Sequence, residues 1–150
     1  MVAQRVSLVR AAEEDWKKVL KFELGSKSKT FAAFENEKDV RKYLRKSNVF
    51  FIQVGGKLIG TVSFESEKDK TAYMDGLTIS TKYRGKGFGT EAMVLIMEEV
   101  KGFKKATKRV HPKNTPALLM YLKYGFEIVR WEDNHYGDGQ PRLFLEKILK

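Results

Sequence analysis

The segment Arg84-Gly85-Lys86-Gly87-Phe88-Gly89-Thr90 constrains this chain more than any other. It stands between a stretch of strand character, residues 72–79, and an apolar helical stretch carrying Ala92, Met93, Ile96, Met97 and Val100. Glycines at alternate positions free the backbone for unusual angles and let its N–H groups approach an anion at a helix start. The segment therefore reads as a phosphate cradle or as a tight strand-to-helix turn with no ligand. Two familiar cradles fail on their residues. A P-loop needs Gly-Lys followed by Ser or Thr, and Gly87 follows Lys86. A dinucleotide fingerprint needs glycine where Thr90 stands and an acid about 20 residues on, where Lys108-Arg109 is found.

The flanking pattern predicts an α/β layered chain. Residues 5–10 alternate as a strand with Val6 and Leu8 on one face, and a helix follows from Ala12 to a stop at Gly25. Trp16, Val19, Leu20 and either Glu23 or Leu24 share its face. A polar connection, residues 25–30, leads to a second helix over 37–45 with Val40, Tyr43 and Leu44 as its apolar stripe. Residues 49–54 and 58–64 flank Gly55-Gly56 as a hairpin. After the glycine segment come a short strand at 109–111, a helix over 115–124 stopped by Gly125, and a final strand pair at 126–131 and 143–147. The order β-α-α-β-β-β-α-β-α-β-β suits one domain over residues 1–150, a length that fills one core and is too short for two.

Composition narrows the chemistry. There is no cysteine, which removes disulfides, thiolate nucleophiles and sulfur-bound zinc, and two histidines, His111 and His135, leave little for a metal cluster. Chemistry must then run on oxygen groups, backbone amides or a cofactor. Lys and Arg number 29 against 19 acids, a net charge of +10, which favours anionic partners such as phosphate-bearing ligands, RNA or acidic proteins. No apolar run approaches the roughly 20 residues of a membrane span, and the first residues lack a secretory apolar stretch. A soluble cytoplasmic protein with no membrane partner is expected.

A second block, His111-Pro112-Lys113-Asn114-Thr115-Pro116-Ala117, leads into a helix that carries Tyr121 and closes at Tyr124-Gly125-Phe126. With the glycine segment it resembles the GNAT superfamily of acyl-CoA-dependent N-acyltransferases. That family's signature is an Arg or Gln, two residues, Gly, one residue, then Gly or Ala, which Arg84, Gly87 and Gly89 meet. Its following block has Asn, Ala three on, Tyr seven on and a Gly-Phe pair at the helix end, met by Asn114, Ala117, Tyr121 and Gly125-Phe126. The run from Arg10 to Trp16 is similar to the family's passage from first strand to first helix. The resemblance spans nearly the whole chain and implies an α/β (α+β) fold of GNAT type. Such a fold has a mixed central sheet of six to seven strands flanked by about four helices.

The resemblance also implies roles. The pyrophosphate of acetyl-CoA would sit on the amides of Arg84, Gly85, Lys86, Gly87, Phe88, Gly89 and Thr90, and its pantetheine arm beside Leu77, Thr78 and Ile79. Lys86 either adds charge near a phosphate or is a solvated surface lysine. Asn114 either bonds pantetheine or bound water, or caps the helix that follows. Tyr121 matches the residue that protonates the departing thiolate in many members, against the alternative of a core tyrosine, while Tyr124 reads as packing. Asp75 stands where the family often keeps a carboxylate base. The alternatives are a solvent-facing aspartate, with Tyr73 or ordered water as base, and His111 reads as structural with a minor claim to that role.

The segment Asn134 to Gly139 is similar to the aromatic, glycine-containing loop of the ribosomal-protein and N-terminal-peptide acetyltransferase branch, which makes His135 and Tyr136 acceptor-binding candidates. A simple turn between two strands explains its Gly-Asp-Gly equally. That branch carries a carboxylate five residues before the Asn, where this chain has Arg109, so alanine N-terminus specificity is not carried over. The expected function is transfer of acetyl to a primary amine by direct attack in a ternary complex, the amine belonging to a peptide, a protein N-terminus or a small molecule. A basic RNA- or ribosome-binding module is the alternative from another class, because Lys101, Lys104, Lys105, Lys108, Arg109 and Lys113 form a cationic segment. With only Phe103 as an aromatic platform, that segment reads rather as a solvated face or a 3′-phosphate contact.

Overall fold

The chain runs β1 (Val6–Arg10), α1 (Trp16–Ser26), α2 (Glu37–Lys46), β2 (Asn48–Val54), β3 (Lys57–Glu67), β4 (Thr71–Ile79), α3 (Phe88–Glu99), β5 (Lys105–Val110), α4 (Thr115–Lys123), β6 (Glu127–Glu132) and β7 (Arg142–Ile148). In this computed structural model, which describes residues 5–149, the strands form one sheet in the order β1-β2-β3-β4-β5-β7-β6. Every neighbouring pair is antiparallel except β4 with β5. The mixed seven-stranded sheet and its four α-helices have the architecture that the resemblance implies. Among the described residues no helix is long and apolar enough to cross a membrane.

Local chemistry accounts for most of these elements. Gly55 and Gly56 both take positive φ, +56° and +79°, the two-residue turn that suits a right-twisted hairpin. Asn36 caps α2 by accepting the Asp39 N–H at 2.9 Å, and Glu37 and Asp39 in the first turn answer Arg45 and Lys46 in the last. In β2 the run Val49, Phe50, Phe51, Ile52 is buried on both faces because helices cover both sides of the sheet. Val19, Val40, Leu44, Val49 and Phe51 build the layer under α1 and α2, and Ile52, Ile59, Met93, Ile96 and Leu145 belong to the larger layer under α3 and α4.

The centre of the sheet is where the layers part. Parallel pairing between β4 and β5 covers only Thr71 with Lys105, Ala72 with Ala106 and Tyr73 with Thr107. On its other edge β4 places both Asp75 and Gly76 opposite Ser63, since Phe64 pairs with Met74 and Val62 with Leu77. Such a bulge bends the strand that carries it, and β4 runs on to Ile79 with no β5 partner. A gap opens. Close approach fixes Gly60 just beyond, because a Cβ there would fall 1.9 Å from the Thr78 carbonyl oxygen.

Two sequence expectations change. The strand expected at 109–111 begins at Lys105, because Ala106 and Thr107 are buried sheet positions hidden among lysines. Helix α1 continues past Gly25 to Ser26, and it is Glu23 that the helix buries, Leu24 remaining half exposed.

Candidate active site

Three adjoining hollows follow the gap. The first, of about 340 Å³, is lined by Leu77 and Ile79 of β4, Gly85, Gly87 and Gly89 before and in α3, and Asn114. The central one shares Leu77, Asn114 and Ala117 with it and adds Tyr121 and Lys108. The third, of about 100 Å³, shares Phe31, Lys108 and Arg109 with the central one and reaches Glu23, Asp75 and Tyr136.

At the first hollow Gly85 and Gly87 hold φ +74° and +86°, and Gly87 is the residue from which α3 springs. The first N–H groups of α3 have no intrahelical partner and make an anion-binding rim. Gly89 serves packing, since a Cβ there would meet Leu77 and Ile79 at 3.6 and 3.8 Å. The loop's own side chains mostly face elsewhere. Arg84 Nε donates to the Ile79 carbonyl at 2.7 Å and Nη2 reaches Gly25 O and Ser26 Oγ at 3.4 and 3.3 Å, tying the loop to the ends of β4 and α1. Phe88 is buried beneath the Arg5 guanidinium, and Lys86 is exposed with no ion-pair partner among the described residues. Thr90 lines the hollow. Thr78 is turned to Thr61, whose N–H it accepts at 3.0 Å, so Leu77 and Ile79 form the wall. Asn114 does cap α4, accepting the Ala117 N–H at 3.4 Å, while also lining both hollows.

Tyr121 is buried at the centre against Phe126, with ring centroids 5.1 Å apart. Its hydroxyl has no protein hydrogen bond among the described residues, and burial pushes its pKa well up, so it stays a neutral donor. At the third hollow Asp75 is half-buried. Burial raises its carboxyl to about 6, opposed by the Ser47 hydroxyl, which donates to Oδ2 at 2.7 Å, and by the charge of Lys108. Glu23, 3% exposed, accepts the Phe34 N–H at 3.0 Å, and burial raises it to about 7.

Lys108 is buried, donates to the Asp75 carbonyl at 2.8 Å, and is lowered by burial to about 8. For Lys108 this corrects the reading of the cationic segment as a solvated face or a 3′-phosphate contact. Arg109 is likewise engaged, its guanidinium bonded to Glu132 at 2.6 and 3.3 Å and lying over Tyr73 and Phe144. Tyr73 bonds the Tyr136 hydroxyl at 2.6 Å and burial drives its pKa far up, which disqualifies it as a base. His111 is structural: Nδ1 accepts the Lys113 N–H at 3.0 Å, so Nε2 carries the hydrogen given to Gln140 Oε1 at 2.9 Å. Tyr136 reaches the third hollow, whereas His135 is exposed and does not line it.

The sequence reading gave Glu23 only a place on a helix face and Lys108 only one in a cationic segment, and neither a part in the site. Each carried a signal, a charge at a position whose helical or strand neighbours are apolar: Val19 for Glu23, Ala106 and Val110 for Lys108. Among the described residues no group of three His, Asp or Glu is placed to hold a metal. The arrangement joins a backbone cradle for an anion, a neutral phenol at the centre, and two partly protonated carboxylates at the far end.

Comparison with known proteins bears on the family and the fold. The family model described as "Acetyltransferase (GNAT) family" covers residues 9–126. A curated N-alpha-acetyltransferase of Sulfurisphaera tokodaii is 27% identical over 114 residues, 67% of this chain and 68% of that protein. Among solved structures, the ribosomal-protein-S18-alanine N-acetyltransferase from Escherichia coli has a TM-score of 0.82 at 16% identity, covering 97% of this chain and 94% of that one. A GNAT family acetyltransferase from Elizabethkingia anophelis with acetyl-CoA bound has a TM-score of 0.77 at 14% identity, with 97% and 99% covered.

Proposed function

The chain belongs to the acetyltransferase (GNAT) family and is an acetyl-CoA-dependent N-acyltransferase, and from that premise we propose that its acceptor is the α-amino group of a peptide or protein N-terminus. The observation that carries the proposal is the order of groups along the trench: anion cradle, then Tyr121, then Asp75 above a hollow of about 100 Å³. That hollow accommodates an amine with a small first side chain. The rest of a peptide then lies outside, between the polar segment that holds Thr30, Phe31 and Phe34 and the loop that holds Tyr136. The name of the Sulfurisphaera relative favours the same acceptor class.

Acetyl-CoA supplies the activated acyl group, and the residues divide the rest. The amides of residues 84–90 hold the pyrophosphate, and Leu77 and Ile79 flank the arm that reaches the gap. An ammonium has no lone pair, so the acceptor must lose a proton before it attacks, and Asp75 takes it, its raised pKa of about 6 matching a base that works near neutrality. Backbone N–H groups on the unpaired edge of β4 stabilise the charge that develops on the carbonyl oxygen. The Tyr121 hydroxyl donates to the departing sulfur. Attack is direct, in a ternary complex, within one domain, and the proposed setting is cytoplasmic.

Initial rates with acetyl-CoA across peptides with free and blocked N-termini, amino-acid esters and polyamines test the acceptor. Free peptides with a small first residue should show kcat/KM about tenfold or more above the polyamines, and blocked peptides none. A polyamine or other small amine as best substrate overturns the peptide assignment and leaves the family chemistry intact.

A further inference from the structure

Past Tyr73 and Thr107 the gap between β4 and β5 is crossed by a side chain. Alternation along β5 puts Lys108 on the face of Ala106 and Val110, both in the layer beneath α3 and α4. From there its arm spans the gap, and Nζ donates to the main-chain carbonyl of Asp75, on the bulge of β4. One of three N–H donors is thus committed. The residue borders both the central hollow and the acceptor hollow.

A buried ammonium is costly unless it is neutralised, and one carbonyl does not neutralise it. Charged and titratable groups surround it from several elements. Glu23 comes from α1, Tyr43 from α2, Tyr73 and Asp75 from β4, Arg109 from β5, Tyr121 from α4, and Arg142 from β7, with His111 just past β5 and Tyr136 on the loop before β7, while Asp39, Lys42 and Lys46 of α2 border Asp75 from its other side. Glu65 and Glu67 of β3 act on Asp75 from farther off. Arg109 is bound to Glu132 and Arg142 to Asp138, at 3.0 Å, while Tyr43 bonds Ser63 and Tyr73 bonds Tyr136. Glu23 and Asp75 are left to face Lys108, and it faces them.

We propose that Lys108 is a positioning residue for the transfer, its bond to the Asp75 carbonyl fixing the bulge of β4 and its charge keeping the Asp75 carboxylate ionised to take the acceptor's proton. The proposal rests on the reading of Asp75 as the base. It explains why a lysine occupies a core position of β5: the ammonium holds the free edge of β4 where no ladder does, without closing the gap.

Three variants separate bond from charge. Lys108→Met removes both, Lys108→Gln keeps a donor without charge, and Lys108→Arg keeps the charge. The measurements are kcat/KM against pH, acetyl-CoA affinity by calorimetry, and the Asp75 carboxyl titration followed by carbon NMR. Loss of a facing positive charge makes Asp75 easier to protonate, so in Met and Gln the acid limb and the NMR titration should both move up by about one pH unit. Arg should hold them near wild type, and acetyl-CoA affinity should stay within about threefold throughout. A limb and a titration unmoved in folded Lys108→Gln overturn the proposal, and that variant carries the test if Lys108→Met does not fold. Asp75→Asn keeps the underlying reading separate. If the acid limb survives in it, Asp75 is not the base, while the NMR titration still decides whether Lys108 sets its charge.

Discussion

At the scale of a residue, Tyr121 differs from the tyrosines of the third hollow, Tyr43, Tyr73 and Tyr136. Tyr43 is bonded to Ser63 and Tyr73 to Tyr136, whereas the Tyr121 hydroxyl has no protein partner among the described residues. A phenol left free in the central hollow is available to an incoming group. Burial makes it a weaker acid than a phenol in water, so complete proton transfer to a thiolate of ordinary pKa about 8.5 is uphill, and its contribution is donation to the sulfur as charge builds. The loss on Tyr121→Phe should therefore lie at the low end for acid catalysis: about ten- to hundredfold in the single-turnover chemical step, with acetyl-CoA affinity within about threefold. Single turnover is the needed measurement because slow product release hides a damaged chemical step. A chemical step within about threefold of wild type makes Tyr121 a packing residue.

At the scale of the element, the glycine segment works through backbone. Gly87 starts α3 in the left-handed region, where a β-branched residue is strained, and a Cβ there would meet the Arg5 guanidinium at 3.3 Å. Gly87→Val should then weaken acetyl-CoA binding by at least about tenfold in calorimetry while circular dichroism stays native. Unchanged affinity would show that the glycine serves only the turn. This loop was legible in the sequence because glycine spacing is a local signal, and so were the hairpin at Gly55-Gly56 and the order of strands and helices. What was not legible depends on partners far along the chain. The start of β5 was masked because Lys105 and Lys108 resemble solvent positions until Glu146 and the Asp75 carbonyl are in place beside them. Gly60 looked like any strand residue until β4 lay against it. His135 and Tyr136 were indistinguishable in sequence, and it takes the bond to Tyr73 and the lining of the third hollow to sort them.

At the scale of the whole molecule, the acceptor end of the trench costs stability. Glu23 rises from 4.5 to about 7 and Asp75 from 3.8 to about 6. Between each pair of values the native state holds a proton that the unfolded chain has released, so stability falls as pH climbs from about 4 to 7. Lys108 drops from 10.5 to about 8, and there the unfolded chain holds the extra proton, so stability recovers from about pH 8 toward 10.5. Melting temperature should pass through a minimum near pH 7 to 8 between those limbs. Glu23→Gln keeps an acceptor for the Phe34 N–H and removes the buried charge. Calorimetric scans across pH should find it more stable than wild type at pH 7.5, by at most about 3 kcal/mol, and with a shallower acid limb. Parallel curves for the two proteins would show that Glu23 is not desolvated as described. The same centre of the sheet has a mechanical side. With three rungs joining β4 to β5, the sheet behaves as two stiff plates, β1 to β4 and β5 to β7, meeting at a compliant seam. Load placed across the plates concentrates there, and a ligand lodged in the opening acts as a splint. With acetyl-CoA seated there as proposed, catalytic readiness and rigidity should rise together as it arrives and fall together when it leaves.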